Sequence, residues 1–307
     1  MKQKLLIIGG SGLLAINWAC IVRNDFRVVL GLHNRIICID GVEAERISID
    51  SIEHLQSDLN RINPDIIINA AAITSIESCE ENFKQARDVN IDAACNIAII
   101  CEELNIKLVQ ISSDHIFSGE EKFTTENASP APVNNYAITK YKAEIVVRNN
   151  NPSSLIIRTN FFGWGTDYRH SFSDFILNNL RNNHQVNLFS DIFYTPILID
   201  ELVIIVHELL DQNNCGIFNV VGDERLSKYD FGLKVADCFG LRPSLINSIT
   251  YQEQSNSVLR PRDMSLSNLK LLQILGRKVP NLNIQLATLK KQEKFRELRI
   301  NKMKKTL

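Results

Sequence analysis

Tyr136 and Lys140 stand four residues apart in Tyr136-Ala-Ile-Thr-Lys140, so they share one face of any helix that carries them. An ammonium one turn from a phenol lowers the cost of the phenolate. It moves a group of reference pKa about 10 toward the range useful for proton transfer. Upstream, Ser112-Ser113-Asp114 closes an apolar run, and a serine there can hydrogen-bond a carbonyl oxygen and orient the tyrosine. Gly9-Gly10-Ser11-Gly12-Leu13-Leu14-Ala15 follows a first apolar run and opens a helical one. Glycines let the chain turn sharply and bring backbone N–H groups to a pyrophosphate, and the small Ala15 permits close helix–strand packing. Each motif alone is common. Their order and separation imply reversible hydride transfer between a nicotinamide dinucleotide and a carbonyl. Tyr136 would donate the proton, Lys140 would stabilise the phenolate and hold the nicotinamide ribose, and Ser113 would polarise the oxygen.

The end of the second apolar run bears on the cofactor. An NAD site places an acidic residue there for the ribose 2′-hydroxyl. This chain reads Leu32-His33-Asn34-Arg35 and has no carboxylate before Asp40. Arg35, with His33, suits a 2′-phosphate, so NADPH is expected and NADH is the alternative. Arg35 could equally be a solvated loop charge. Asp50, followed by Ser51, either accepts from the adenine amino group or caps the next helix.

The elements that must position these groups alternate. Strands are expected at Leu5–Ile8, Arg27–Leu32, Ile47–Ile49, Asp65–Asn69, Lys107–Ser112 and Ser154–Arg158. Between them lie helical stretches at Leu13–Asn24, Ile52–Ile62, Asn82–Leu104 and Tyr136–Asn149. Continuous β-branched strands between helices predict a parallel sheet covered on both faces, the α/β Rossmann-type doubly wound pattern. After Arg158 the chain is richer in aromatics and turns. Helices are expected at Phe172–Asn182, Asp200–Leu210 and Ser227–Phe239, the last opened by a Ser227 cap with Asp230 three residues on. A strand is expected at Gly216–Val220 and a polar loop at Ser257–Asp263. The expected organisation is a dinucleotide-binding domain over 1–158, with 191–220 returning to it. A smaller interwoven α/β substrate lobe spans 159–190 and 221–290, and a basic tail spans 291–307.

The chain has 307 residues, 45% hydrophobic and 22% charged, with a formal net charge of −1. That balance gives no electrostatic argument for nucleic acid or an anionic membrane. Met1-Lys-Gln-Lys before Leu5–Ile8 resembles a signal peptide start, but the apolar run is short and turns at once into glycines. No stretch reaches the roughly 18 apolar residues that span a bilayer. Seven scattered cysteines without a Cys-x-x-Cys read as reduced, mostly buried thiols of a cytoplasmic protein. The six histidines are dispersed, so no metal site is expected.

Taken together, Gly9–Ala15, Asn69-Ala70-Ala71-Ala72, Ser112-Ser113-Asp114-His115-Ile116-Phe117-Ser118-Gly119 and Tyr136-x-x-x-Lys140 resemble the extended short-chain dehydrogenase/reductase superfamily. Within it the chain most resembles the dTDP-4-dehydrorhamnose reductases. The resemblance extends over nearly the whole chain, through Ile73–Glu80, Asp88-Val89-Asn90, Arg158–Gly163, Thr195-Pro196, Gly222–Phe231 and Arg260–Leu266. It implies reduction of the 4-keto group of a nucleotide-linked 6-deoxy sugar, usually with NADPH, in the synthesis of cell-surface polysaccharide precursors. By position it implies cofactor contacts at Ala70, Ala71 and Ala72 and substrate contacts at Thr74, His115, Asn160, Phe161 and Thr195. Ser113 stands where the family usually has threonine, and His115 where it has tyrosine. Phe161 stands where an aromatic, often tryptophan, packs at the pocket. Thr195-Pro196 inverts the usual order, and Asp263-Met264 replaces an asparagine–serine pair, which leaves the sugar and its nucleotide open.

The chemistry of a nucleotide diphosphate agrees in type, since it needs cationic donors and a flat apolar surface for the base. Arg260 and Arg262 can meet phosphates; Phe161, Phe162 and Trp164 offer stacking surface. Surface ion pairs and core packing are the respective alternatives. Two other functions stay open: an epimerase on a nucleotide sugar, and a non-catalytic NADP-binding regulatory subunit. A second copy of the chain is an admissible partner.

Overall fold

The computed structural model describes residues 2–251 and 258–294. The expected basic tail lies outside the described residues from 295 onward, and the loop at 257–263 is described from Val258. The apolar runs of the first half assemble into one sheet. Its strands are β1 (Lys4–Ile8), β2 (Arg27–Leu32), β3 (Glu43–Arg46), β4 (Ile66–Asn69), β5 (Lys107–Ile111), β6 (Leu155–Arg158) and the later Gly216–Asn219. The spatial order is Gly216–Asn219, β6, β5, β4, β1, β2, β3, and every neighbouring pair is parallel. This is the Rossmann-type pattern, with the strand order reversing between β1 and β4.

Alternate residues along a strand point to opposite faces, so one continuous apolar run feeds two layers. Leu5, Ile7 and Ile68 pack with α1 (Leu13–Val22) on one side. Leu6, Ile67 and Leu108 pack with α2 (Ile52–Ile62) on the other.

Two expected elements are corrected. The third strand is Glu43–Arg46, not Ile47–Ile49. An edge strand needs no apolar face. Glu43 pairs with Arg27 and Glu45 with Arg61 in the solvent. Ile47 instead folds its side chain over Gly31, where an added Cβ would lie 2.7 Å from the Ile47 Cδ1.

The single helix Asn82–Leu104 is in fact divided. α3 (Ile76–Glu81) and α4 (Phe83–Arg87) meet at Asn82, whose side chain caps α4 by accepting from the Gln85 N–H. A wide π turn at Asp88–Asp92 then leads into α5 (Ala93–Glu103). Asn90 sits in that turn. Its Oδ1 accepts from the Ile73 N–H at 2.8 Å, and its Nδ2 donates to the Thr139 Oγ1 at 2.9 Å. These tertiary bonds tie the loop after β4 to α6 (Asn135–Asn150), the helix that carries Tyr136 and Lys140.

Beyond β6 the chain builds a lobe at the carboxyl edge of the sheet. α7 (Phe172–Arg181) and α9 (Lys228–Phe239) each open with a serine–aspartate capping box, Ser171 with Asp174 and Ser227 with Asp230. Val186–Phe189 pairs in parallel with Ile246–Ile249, and Phe193–Tyr194 antiparallel with Leu226–Ser227. Between these, α8 (Ile199–Asp211) returns beneath the sheet, where the Trp18 Nε1 donates to the His207 Nε2 at 3.0 Å. No helix among the described residues is long and apolar enough to cross a membrane. Three of the seven cysteines are buried, Cys20, Cys79 and Cys101; Cys38 and Cys215 are exposed, which corrects the expectation of mostly buried thiols.

Candidate active site

The loops after β1, β4, β5 and β6 open at one end of the sheet, over the point where the strand order reverses. That is where ligands of open α/β sheets bind. They line one cavity of about 810 Å³, closed on its far side by Tyr168, Arg169, His170 and Arg260 from the second lobe.

The β1 end suits a pyrophosphate. Gly9 has φ +83°, and a Cβ there would lie 2.7 Å from the Ala71 backbone nitrogen, so the loop turns tightly against Ala70-Ala71. Gly12 caps α1 with no side-chain bond, and the first turn of α1 has no acidic residue. The N–H groups of that turn therefore face the cavity beside Leu13, Leu14 and Ala15, and the helix dipole favours an anion there. Ser11 also lines the cavity, and its carbonyl accepts from the Tyr168 hydroxyl at 2.9 Å. At the β2 end His33 and Arg35 line the cavity with Asp50. The Arg35 guanidinium lies 3.9 Å above the Tyr168 ring, and the His33 Nε2 stands 3.9 Å from the Asp50 carboxylate. These residues fit a dinucleotide, with the Arg35 guanidinium where a 2′-phosphate would sit.

The catalytic candidates come together at the β5 end. Ser113 caps a short turn, Asp114–Ile116, by accepting from the His115 N–H at 3.2 Å. Asn134 caps α6 by accepting from the Ala137 N–H at 2.9 Å, which fixes the start of the Tyr136 helix. Burial pushes the Tyr136 phenol up to about 12; Asp114 pushes the same way, while a hydrogen bond with Ser113 opposes. Burial draws Lys140 down to about 8, opposed by the Glu144 carboxylate. The Lys140 Nζ donates to the Ile111 carbonyl at 2.7 Å. The expected lowering of the phenol by Lys140 is thus corrected: burial dominates, and the ammonium is turned to the Ile111 carbonyl. The phenol is fully protonated at neutral pH, the state a proton donor requires.

Glu144 was not anticipated, although it lies one further turn along the Tyr136–Lys140 face. Its carboxylate accepts from the Ser112 Oγ at 2.5 Å and from the Arg158 Nε and Nη2 at 2.9 and 2.7 Å. Both side chains of this ion pair are 2% exposed. The bidentate pair locks α6 to β5 and β6 directly beneath Lys140.

Thr74, Ser113, His115, Asn160, Phe161 and Arg260 reach the cavity. Six expected contacts do not. Trp164 is 3% exposed, and its Nε1 donates to the Leu289 carbonyl, so it is core rather than stacking surface, as is Phe162. The Thr195 hydroxyl is spent accepting from the Leu266 N–H. Arg262 and Asn34 are exposed and do not line the cavity. Ser51 caps α2 by accepting from the His54 N–H, leaving only Asp50 at the cavity. Of the second-lobe wall, Arg260 was expected, while Tyr168, Arg169 and His170 were missed. Arg169 donates to the Thr74 hydroxyl at 2.7 Å, and Arg260 pairs with Glu77. No cluster of metal-binding side chains exists among the described residues.

The fold and site define a Rossmann-type oxidoreductase. The chain belongs to the RmlD substrate binding domain family, whose family model matches residues 3–294. It is 29% identical over 287 residues to the probable low-salt glycan biosynthesis reductase Agl14 of Haloferax volcanii, covering 92% of this chain and 96% of that protein. It is 25% identical over 296 residues to the methionine adenosyltransferase 2 subunit beta of Pongo abelii, covering 91% and 85%. Among solved structures, the dTDP-4-dehydrorhamnose reductase of Bacillus anthracis in complex with NADP superposes with a TM-score of 0.84 at 21% identity, covering 95% and 100%.

Proposed function

We propose that this chain reduces the 4-keto group of a nucleotide-linked deoxy sugar with NADPH, in the making of cell-surface polysaccharide precursors. One observation carries the reading: Ser113, Tyr136 and Lys140 line the same cavity as the uncapped N-terminus of α1. The Gly9–Leu14 turn would hold the pyrophosphate, and Ala70, Ala71 and Ala72 would flank it. Arg35 and His33 would meet the 2′-phosphate, with Asp50 near the adenine. Bound there, NADPH supplies hydride to the carbonyl carbon.

The chain's own residues do the rest. Ser113 donates to the carbonyl oxygen and keeps Tyr136 aimed at it. Tyr136 holds its proton until an alkoxide, far more basic than a phenolate, develops beside it. Lys140, charged below about pH 8, offsets the phenolate left behind. Thr74, His115, Asn160 and Phe161 orient the sugar, and Arg260 stands at the diphosphate. Because Lys140 carries its charge only below its lowered pKa, the rate of reduction at saturating NADPH is expected to fall as pH rises through about 8. A profile flat well above pH 8 would remove the charge of Lys140 from the mechanism.

The relative that serves as a subunit of another enzyme supports a second reading, a regulatory partner that binds NADP without turnover. The complete Ser113–Tyr136–Lys140 set favours catalysis. The test follows NADPH absorbance with dTDP-4-keto-6-deoxyglucose, alone and with its 3,5-epimerase. Turnover only with the epimerase supports the rhamnose reaction, and turnover without it a different deoxy sugar. NADPH binding without turnover on any keto sugar nucleotide contradicts the reductase reading.

A further inference from the structure

Between Gly165 and Arg169 the second lobe makes a tight turn. The Thr166 N–H donates to the Arg169 carbonyl at 2.9 Å, and the Arg169 N–H to the Thr166 carbonyl at 3.2 Å. Asp167 and Tyr168 therefore form a two-residue tip. The base of the turn is fixed. Thr166 is buried, and the Gly165 N–H donates to the Asp174 carboxylate at 2.6 Å. A Cβ on Gly165 would lie 2.4 Å from the Arg169 carbonyl oxygen, so only glycine lets the two limbs approach this closely. Asp174 belongs to the capping box that opens α7, which anchors the turn to a helix.

The tip crosses to the dinucleotide end of the cavity. The Tyr168 hydroxyl donates to the carbonyl of Ser11, in the phosphate loop, at 2.9 Å. The Arg35 guanidinium lies over the Tyr168 ring, 3.9 Å from its centroid. The adjacent Arg169 guanidinium donates to the Thr74 hydroxyl at 2.7 Å. Ser11, Arg35, Thr74, Tyr168 and Arg169 all line the cavity. Arg35 is exposed and, among the described residues, forms no ion pair with a carboxylate. An arginine held by nothing spreads over many rotamers, and ordering it on a ligand costs entropy. A guanidinium over an aromatic ring uses its face for the stack and keeps its N–H edge for a bidentate bond.

We propose that Tyr168 is a positioning residue for cofactor choice: its ring holds the Arg35 guanidinium in place for the 2′-phosphate of NADPH. Its hydroxyl keeps that cation in register with the phosphate loop. One side chain thereby joins the two anion-binding parts of the dinucleotide groove, and it comes from the second lobe. NADH has no 2′-phosphate, so the stack strengthens NADPH binding and leaves NADH binding alone. Cofactor discrimination then depends on a residue far along the chain from the end of β2, where it is ordinarily read. The inference rests on the assignment of Arg35 to the 2′-phosphate.

The test titrates NADPH and NADH into the full chain by nicotinamide fluorescence and takes the ratio of Kd for NADH to Kd for NADPH. Arg35→Met is expected to lower that ratio by about tenfold or more, the worth of charge-assisted bonds to a phosphate. Tyr168→Leu, which keeps Arg35 but removes the ring beneath it, is expected to lower the ratio about three- to tenfold, the worth of a guanidinium–aromatic stack. Tyr168→Phe keeps the ring and should hold the ratio within about twofold of the native value. In the double variant Arg35→Met with Tyr168→Leu, the ratio should equal that of Arg35→Met alone, because the ring acts only through Arg35. Equal weakening of both cofactors by Tyr168→Leu, as loss of lobe packing alone would give, would overturn the inference. So would an unchanged or raised ratio in that variant, or a fall in Tyr168→Phe as large as in Tyr168→Leu. In each of these cases a low ratio in Arg35→Met leaves the cofactor reading standing. An Arg35→Met protein with the native ratio would overturn both.

Discussion

Replacing Tyr136 by phenylalanine is expected to lower kcat for carbonyl reduction by about 10²–10⁴-fold, the usual worth of a positioned general acid. NADPH affinity should stay close to that of the native protein. The ring is buried beside His115, and phenylalanine keeps the apolar contact. On the proposed mechanism, what is lost is the proton donor that α6 brings beside the end of β5. Its neighbours do not replace it: the Ser113 hydroxyl can hydrogen-bond the carbonyl oxygen but is too weak an acid to give up its proton, and the Lys140 ammonium donates to the Ile111 carbonyl. Steady-state kinetics with NADPH titrated by fluorescence separates the two effects. Turnover equal to the native rate would remove Tyr136 from its role.

The largest effect on stability should come from Glu144→Ala. It leaves the Arg158 guanidinium buried at 2% exposure with its carboxylate partner gone, and breaking such a pair costs about 3–5 kcal/mol. The Ser112 hydroxyl loses its acceptor as well. The remaining contact, from the Arg158 Nη1 to the Glu126 carbonyl at 3.3 Å, is long. Denaturant unfolding reads the loss directly. The double variant Glu144→Leu with Arg158→Met should recover most of it, because an apolar pair of similar volume needs no desolvated charge. A single variant within about 1 kcal/mol of the native protein would contradict this account of the pair. Glu144 also sustains the charge of Lys140. A folded Glu144→Gln protein should therefore show its alkaline loss of activity at lower pH.

The central sheet was legible because its strands are continuous runs of Ile, Leu and Val that a parallel sheet buries on both faces. Glu43–Arg46 escaped notice for the opposite reason: an edge strand dressed in charges carries no apolar signal. The division of the helix at 82–104 was hidden because it is imposed by Asn90 reaching Ile73 and Thr139, contacts distant in sequence. Tyr136, Lys140 and Ser113 were read from their spacing, and they line one cavity. Glu144 extends the same i, i+4 series and could have been found with them. Trp164 illustrates the limit of residue type. An indole serves equally as core or as stacking surface, and the choice is made by the Leu289 carbonyl and the Asn17 amide, which holds the Trp164 carbonyl at 2.8 Å.

The most direct measurement supplies NADPH with both C4 hydrogens of the nicotinamide replaced by deuterium, together with dTDP-4-keto-6-deoxyglucose and its 3,5-epimerase, and follows the label by NMR. The account predicts one deuterium on C4 of the product sugar for each NADPH oxidised. Unlabelled sugar at the end of NADPH oxidation, or a rearranged sugar with no net NADPH consumed, would contradict hydride delivery to the 4-keto group.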